Sequence, residues 1–235
     1  MIFRQLLDYD SFTYTYLIGD EASGEALLID SVKSQVGRDL QIIEELGLTL
    51  KMTVDTHVHA DHVTAAGELR KLTGCITGGA AVADVACVDQ GLNDGDFISI
   101  GDLKLEVRST PGHTSSCISI VLHDEAQPMA FTGDALLIRG SGRTDFQQGC
   151  SKTLYASVRN KIFSLPGHTL LYPGHDYKGR TVTSVAEEKA HNPRLGDRVS
   201  EAEFCRIMDE LNLAYPKHID VALPANLLCG DEATA

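Results

Sequence analysis

The chain has 235 residues, of which 43% are hydrophobic and 23% are charged, and its formal net charge at pH 7 is −13. This length and composition fit a globular protein, and we predict one domain over residues 1–235. The acid excess argues against nucleic acid or an anionic membrane as a partner, and no apolar run is long enough to span a bilayer.

The first ten residues carry one base and two acids and contain no small-residue cleavage site, so they do not resemble a targeting signal. Six cysteines are scattered along the chain without a C-x-x-C pair. We therefore expect reduced thiols, and for Cys229 a structural role rather than that of an exposed, oxidisable thiol. The expected compartment is a bacterial-type cytoplasm, or the mitochondrial matrix if a transit peptide was removed.

Hydrophobic periodicity and turn residues predict the elements in chain order. Predicted strands cover residues 2–7, 12–18, 25–30, 48–54, 96–100, 103–109, 117–123, 128–132 and 169–172. Predicted helices cover residues 36–46, 63–73 and 151–164, and two later helices begin at the capping boxes Ser184-x-x-Glu187 and Ser200-x-x-Glu203. This order predicts an α/β protein with two mixed sheets and helices packed outside them.

The segment Thr56-His57-Val58-His59-Ala60-Asp61-His62 directly follows the strand predicted over residues 48–54 and holds three histidines and a carboxylate. Alternate side chains of an extended segment point the same way, so His57 and His59 can aim together, while Asp61 and His62 need a local bend to join them. Imidazole suits zinc, iron, copper or nickel, and a carboxylate extends the choice towards iron and manganese. The segment predicts a metal site.

Three more candidate ligands each follow a predicted strand through a glycine. His113 comes after Pro111-Gly112, Asp134 after Gly133, and His175 after Pro173-Gly174. Because ligand sites lie at such strand ends, we expect these side chains to join the histidine segment. His168 also follows a Pro-Gly pair but precedes its strand, so we interpret it as a turn residue at the opposite edge.

These seven residues together resemble the ligand pattern of the metallo-β-lactamase superfamily: His57-x-His59-x-Asp61-His62, then His113, Asp134 and His175. The resemblance implies that superfamily's αββα sandwich, with two mixed β-sheets flanked by helices and the site at one edge of the sheets. The superfamily includes hydrolases, redox proteins and nucleases, so the fold alone does not decide the function.

A second resemblance is to the persulfide dioxygenases. It rests on residues 133–149, which include Arg139-Gly140-Ser141-Gly142-Arg143, and on His175-Asp176-Tyr177, Asn192-Pro193-Arg194-Leu195 and Pro224-Ala225-Asn226-Leu227. The resemblance implies oxidation of glutathione persulfide by dioxygen and water to sulfite and glutathione, at one mononuclear, non-haem Fe(II) per chain. It also implies a homodimer. Ser141 departs from the cysteine that many relatives have there, which questions any thiol role at that position.

The same resemblance assigns roles residue by residue. His57, His113 and Asp134 match the iron ligands, a triad that leaves coordination positions for sulfur and dioxygen. Arg143, Tyr177 and Arg194 match residues that bind glutathione. The remaining motif residues are expected to orient the site by hydrogen bonding around the ligands: His59, Asp61, His62 and His175.

The charge distribution supports an anionic substrate independently of the resemblance. Residues 139–198 contain ten Lys or Arg against five Asp or Glu, a net +5 within a chain of net −13. Arginine binds carboxylates bidentately, and glutathione carries two carboxylates. For Lys152, Arg159 and Lys161 a solvated helix face explains the charge better.

Two alternatives remain. A glyoxalase II-like thiolester hydrolase, acting on hydroxyacylglutathione, would use all seven ligands to hold two metals with a bridging hydroxide as nucleophile. The Arg-Thr-Asp-Phe-Gln-Gln run at residues 143–148 and the short C-terminus argue against it. A non-catalytic persulfide or metal sensor would need a partner-binding module, and no part of the predicted domain supplies one.

Overall fold

The computed structural model describes residues 1–231, and it contains twelve strands and six helices in that range. The strands are β1 Ile2–Leu7, β2 Tyr14–Gly19, β3 Glu25–Ile29, β4 Thr49–Val54, β5 Ile76–Ala80, β6 Gln90–Leu92, β7 Phe97–Ile100, β8 Leu103–Ser109, β9 Ile118–Leu122, β10 Met129–Gly133, β11 Leu170–Pro173 and β12 Thr183–Ser184. The helices are α1 Val36–Glu45, α2 Ala66–Thr73, α3 Ser151–Ser157, α4 Val185–His191, α5 Glu201–Asp209 and α6 Ile219–Asn226.

One compact unit comprises, within the described range, residues 1–92, 98–104 and 215–231. Its strands form a mixed sheet in the order β1-β2-β3-β4-β5-β6, in which β1 to β3 are antiparallel and β3 to β6 are parallel. Buried apolar side chains such as Leu28, Ile43 and Leu69 fill its core. The parallel strands β3 and β4 therefore end at the same edge, with Ile29 opposite Val54.

The other compact unit comprises residues 93–97 and 105–214. The second sheet has the order β12-β11-β10-β9-β8-β7, and the pair β10 and β11 is parallel. Helices α3 and α5 contribute Leu154 and Phe204 to a buried cluster that includes Val121 of β9. The parallel pair places residues after Gly133 and after Pro173 at one edge of this sheet.

Most predicted elements are confirmed to within a few residues, including both N-caps, where Ser184 and Ser200 accept hydrogen bonds from the backbone N–H of Glu187 and Glu203. The prediction of one helix over residues 151–164 is wrong in detail, because α3 continues as a π-helical turn over Val158–Ile162. The predicted pattern did not include β5, β6, β12 or α6. The single domain over residues 1–235 stays a prediction, and its last four residues lie outside the described range.

Among residues 1–231, no helix is long and apolar enough to cross a membrane. The expectation that all cysteines are reduced is wrong, because Cys87 and Cys229 form a disulfide across 142 positions of sequence. Cys229 is buried, at 2% exposure, so it is not an exposed thiol, although it is oxidised in this disulfide. The other cysteines are Cys75, Cys117, Cys150 and Cys205.

Candidate functional site

The histidine segment begins where β4 ends, and a buried aspartate at the end of the neighbouring strand organises it. Asp30, directly after β3, accepts hydrogen bonds from the backbone N–H and the hydroxyl of Thr56, at 2.7 and 2.9 Å. The same carboxylate lies 3.1 Å from Nε2 of His59. Asp30 thus fixes both the entry to the segment and its second histidine. Because β3 and β4 are parallel neighbours, Asp30 reaches residues that follow it by more than 25 positions.

Burial and charge act in opposite directions on His59. Burial alone would lower the pKa of its imidazole, but the facing Asp30, its hydrogen bond, and the charges of Asp61 and Asp55 raise the pKa to about 9. Burial raises the pKa of Asp55 to about 6, although the charge of His59 opposes this shift. Burial and the charges of neighbouring groups therefore shift the pKa values of His59 and Asp55 in opposing ways.

A second set of contacts holds the end of the segment. Nδ1 of His62 lies 2.8 Å from Asp61 and 3.2 Å from the hydroxyl of Thr13, and that hydroxyl also donates to Asp61 at 3.0 Å. The imidazole rings of His59 and His62 have centroids 4.3 Å apart. One ligand atom each from His59, Asp61 and His62 lie within 4.8 Å of one another, so this trio has the spacing of a cation site.

The backbone of the segment is held by Asn226, from the last helix. Its side-chain amide donates to the carbonyls of His59 and His62, at 2.8 and 2.9 Å, and accepts a hydrogen bond from the backbone N–H of Thr64 at 2.9 Å. Asn226 is buried, so these three hydrogen bonds form away from bulk water. The local bend that the sequence requires for Asp61 and His62 is thus closed by a residue more than 160 positions away.

In the other compact unit, His113, Asp134 and His175 lie together, each after its strand as predicted. Nδ1 of His175 is 2.7 Å from one Asp134 oxygen, and Nε2 of His113 is 3.7 Å from the other. Nδ1 of His113 donates to the carbonyl of Arg143 at 2.7 Å. Since a carbonyl only accepts, this bond fixes the proton on Nδ1 and the lone pair on Nε2, as a metal-binding imidazole requires.

Two glycines allow this close approach. A Cβ at Gly142 would lie 2.8 Å from Nδ1 of His113, and a Cβ at Gly174 would lie 2.7 Å from Asp134 Oδ1, both too close for a side chain. The glycines of the Arg-Gly-Ser-Gly-Arg and Pro-Gly-His runs are therefore needed for space around the candidate ligands.

The donor atoms fit a metal. The described residues near His113 and Asp134 offer an imidazole Nε2 of fixed tautomer and a carboxylate held by a second imidazole. Thr56 contacts Nδ1 of His57 at 3.0 Å, which orients that ring in the same manner. An imidazole nitrogen and a carboxylate oxygen of this kind suit a divalent transition metal.

The predicted glutathione-binding residues have different surroundings. Arg143 forms a bidentate pair with Asp145, at 2.6 and 2.7 Å, donates to the carbonyl of Ala214, and lies 4.6 Å above the ring of Phe146. The hydrogen bonds of Asp145 raise the pKa of the Arg143 guanidinium. Its planar group is thus fixed in orientation by protein partners.

The side chains of Arg194 and Tyr177 have fewer described protein contacts than that of Arg143. Nη1 of Arg194 donates to the carbonyl of Ser141 at 3.1 Å, and burial lowers the pKa of its guanidinium. Tyr177 is 65% exposed and stacks on His175, with ring centroids 6.0 Å apart and planes at 9°. Ser141 itself is buried and its hydroxyl lies 3.7 Å from the sulfur of Met208, which is a packing position.

A buried carboxylate connects the two loops that carry these residues. Glu188, with no exposed surface, accepts hydrogen bonds from the backbone N–H and guanidinium of Arg139, the hydroxyl of Thr183 and the amide of Asn192. Asn192 in turn donates to the carbonyl of Gly140 and accepts from the backbone N–H of Arg194. Glu188 has no predicted role in the sequence analysis, where it counts only as one of the five acids of residues 139–198.

Comparison with known proteins places this geometry in a family. Residues 8–175 match the family model described as the metallo-beta-lactamase superfamily. The chain is 54% identical over 231 residues, 98% of its length, to "Persulfide dioxygenase ETHE1, mitochondrial" of Mus musculus, and it covers 89% of that protein. The crystal structure of ETHE1 from Myxococcus xanthus superimposes with a TM-score of 0.94 at 55% identity, over 98% of this chain and 100% of that one. The chain belongs to the persulfide dioxygenase family.

The superfamily also contains more distant relatives of other activity. A hydroxyacylglutathione hydrolase of Cereibacter sphaeroides is 32% identical over 219 residues, 92% of this chain and 82% of that protein. The predicted metallo-β-lactamase fold and the predicted family are both confirmed, whereas the roles of individual site residues stay predictions. Asp30, Asn226 and Glu188 were missed because each acts on residues remote in sequence.

Proposed function

We propose that this member of the persulfide dioxygenase family oxidises glutathione persulfide with dioxygen and water to sulfite and glutathione at one Fe(II) per chain. His57, His113 and Asp134 are the proposed ligands. The observation that carries the metal assignment is the His113 ring: its Nδ1 proton is committed to the Arg143 carbonyl, so its Nε2 lone pair is presented beside Asp134. Ferrous iron bound there would supply open coordination sites for sulfur and dioxygen and the redox chemistry that activates dioxygen.

His175 has an orienting role in this proposal. Its Nδ1 is 2.7 Å from Asp134 Oδ1, so one oxygen of the carboxylate is engaged by an imidazole and the other remains on the His113 side. That arrangement suits a carboxylate that binds one metal as a terminal ligand. It supports a mononuclear site more than a dinuclear one.

Substrate binding is assigned to Arg194, Arg143 and Tyr177. Arg194 offers a half-buried guanidinium whose charge is disfavoured by burial, so a substrate carboxylate beside it would stabilise it. Arg143 is already paired with Asp145, which makes it an oriented cation that a second carboxylate can share. The exposed ring of Tyr177 provides an apolar wall next to His175.

In the proposed reaction, the substrate-binding residues and the proposed metal ligands have separate tasks. The arginines hold the glutathione carboxylates, and the terminal sulfur of the persulfide is directed towards the two histidines and the aspartate. Both oxygen atoms of dioxygen are transferred to that sulfur, and water releases sulfite with its third oxygen. The sulfur–sulfur bond breaks, the remaining sulfur leaves as the glutathione thiol, and two protons are released, which balances atoms and charge.

A second candidate, the thiolester hydrolase, is favoured by one observation: His59, Asp61 and His62 also have the spacing of a cation site. Metal analysis combined with oxygen-electrode traces on fresh glutathione persulfide separates the two. The proposal expects one iron per chain and oxygen uptake that depends on the persulfide. Two zinc ions per chain with cleavage of lactoylglutathione and no oxygen uptake would overturn it.

We also propose a cytoplasmic, homodimeric enzyme with no nucleic-acid or membrane partner. The net charge of −13 supports the absence of polyanionic partners. Sedimentation velocity tests the dimer, and subcellular fractionation of the source cells tests the compartment. A monomer at micromolar concentration would contradict the first, and recovery in the membrane pellet the second.

A further inference from the structure

The disulfide between Cys87 and Cys229 lies on the support of the histidine segment. Cys229 follows α6 and is three residues from Asn226, to whose carbonyl its backbone N–H donates at 3.1 Å. Asn226 is the residue whose amide holds the carbonyls of His59 and His62. The disulfide therefore lies at the end of the short stretch from Asn226 to Cys229, and Asn226 in this stretch holds the histidine segment.

The other half of the disulfide is anchored independently. The carbonyl of Cys87 accepts hydrogen bonds from the guanidinium of Arg70 at 2.7 Å and from the hydroxyl of Thr77 at 3.1 Å. Arg70 belongs to α2 and Thr77 to β5, so Cys87 is fixed to the body of its unit. The sulfur–sulfur bond thus ties the C-terminal stretch to a fixed point.

Few other contacts hold that stretch to the same unit. The backbone N–H of Gly67 donates to the carbonyl of Cys229 at 2.8 Å, and the ammonium groups of Lys33 and Lys71 contact Gly230 and Asp231. The Lys71 pair is exposed to solvent, where an ion pair contributes little, and the contact of Lys33 with the Gly230 carbonyl is partly buried. Without the disulfide, retention of Asn226 depends largely on its own hydrogen bonds and the packing of α6.

The two cysteines of the disulfide differ in their exposure to solvent. Cys229 is buried at 2% exposure, whereas Cys87 is partly exposed in the segment before β6. Thiol–disulfide exchange starts by attack of a thiolate on the accessible sulfur. An incoming thiolate would therefore meet Cys87 and release Cys229.

We propose that Cys87–Cys229 is a thiol-exchange site, through which low-molecular-weight thiols control how firmly Asn226 holds the histidine segment. A glutathione thiolate attacks Cys87, forming a mixed disulfide and expelling the Cys229 thiolate. A second glutathione thiolate then attacks the mixed disulfide, giving oxidised glutathione and the Cys87 thiolate. The protein disulfide gains two electrons and two glutathione thiols lose them.

This inference rests on the proposed function for its reagent, because glutathione is the thiol that the proposed reaction releases. In reducing compartments, protein disulfides are usually transient or redox-sensing rather than permanent. Accumulating thiol product would loosen the segment, and an oxidising glutathione pool would restore it.

The test uses the full chain and two variants, Cys87→Ser and Cys150→Ser. Cys150 is an exposed cysteine outside the disulfide, so its replacement is the matched control. Wild-type protein isolated without reductant should titrate four thiols after denaturation, and six after incubation with glutathione. Limited proteolysis after α6 should become about five- to tenfold faster on reduction, and the thermal midpoint should fall by roughly 5–15 °C.

Cys87→Ser should show the fast proteolysis with or without glutathione, whereas Cys150→Ser should respond as wild type does. Release of bound iron to a chelator should accelerate in parallel. Equal proteolysis of the oxidised and reduced proteins, or six titratable thiols in the untreated protein, would overturn the exchange site. Both readouts are independent of oxygen uptake, so failure of the proposed activity would leave them interpretable.

Discussion

The histidine segment and the basic region over residues 139–198 differ in how they are held. The histidine segment has its candidate ligands within six residues, and Asp30, Thr13 and Asn226 bind it from outside. The basic region has its candidate groups dispersed over two loops, and one buried carboxylate, Glu188, joins them. The histidine segment is therefore recognisable as one short motif in the sequence, whereas the contacts that join the loops of the basic region are not visible there.

Ion pairs within residues 139–198 neutralise part of the positive charge of this basic region. All five acids of residues 139–198 lie in ion pairs with arginines of that region. Arg143 pairs with Asp145, Arg180 with Asp176, Arg159 with Asp197, and Arg139 with Glu187 and Glu188. Arg194 has no ion pair among the contacts described for it. Four of the ten bases are therefore paired within the region, and fewer than ten basic groups remain to attract an anionic substrate.

Replacing Asp134 by Ala should have the largest effect, because it removes the one carboxylate of the proposed triad. We expect iron content and oxygen uptake to fall together by a factor of about 10³ or more. Metal analysis and an oxygen electrode measure both. Asp124→Ala, which changes an exposed turn before β10, is the control. Full oxygen uptake by Asp134→Ala would show that the metal assignment is wrong.

Glu188→Ala tests whether this buried carboxylate joins the two loops of the basic region. The substitution leaves the guanidinium of Arg139, the hydroxyl of Thr183 and the amide of Asn192 without their shared buried acceptor, so unfolding in urea should be easier by about 3 kcal/mol. Glu187→Ala is a close control, because Glu187 contacts the same arginine at 3.6 Å but is 54% exposed. We expect less than about 1 kcal/mol for that variant. Equal losses would mean that Glu188 does not join the loops.

His175→Ala tests the proposed role of His175 in orienting the Asp134 carboxylate. Loss of a residue that orients a ligand typically costs 10- to 100-fold in activity or metal affinity, and we expect about that decrease in kcat with iron partly retained. His168→Ala is matched by sequence, since both histidines follow Pro-Gly. His168 lies in a turn where its carbonyl accepts from Gln127. A similar loss in both variants would contradict the orienting role.

Arg194→Lys should have the smallest effect and should act on binding alone. Lysine keeps the charge but loses the planar fork, so KM for glutathione persulfide should rise about 5- to 10-fold while kcat changes less than about twofold. Arg198→Lys provides a control in the same basic region. A decrease in kcat with KM unchanged would assign Arg194 to the reacting atoms instead of the substrate carboxylates.

The parts of the fold that the sequence predicted are those with regular spacing of apolar residues. Strand β5 was missed because its last three residues, Gly78-Gly79-Ala80, have no bulky side chain and give no strand pattern. In the structure a Cβ at Gly78 would lie 2.9 Å from the side chain of Val54, so β4 fills the space that β5 leaves. Helix α6 was missed because Pro224 lies within it, which usually argues against a helix.

The candidate site shows the same division. The seven motif residues were found because each follows a strand or lies in one dense segment, and turn glycines marked the positions. Asp30, Glu188 and the disulfide partner Cys87 were not found, since their partners are from 26 to 142 positions away. Pairing over such distances is decided by the arrangement of the sheets, which periodicity does not determine.

The grip of Asn226 on the histidine segment has a consequence for biosynthesis. The ribosome makes His62 about 160 residues before Asn226, and at roughly 5–20 residues per second that interval is on the order of ten to thirty seconds. During this time the nascent segment lacks the amide that closes its bend. A polypeptide that ends before Asn226 would therefore carry all seven motif residues but lack the amide that holds the carbonyls of His59 and His62.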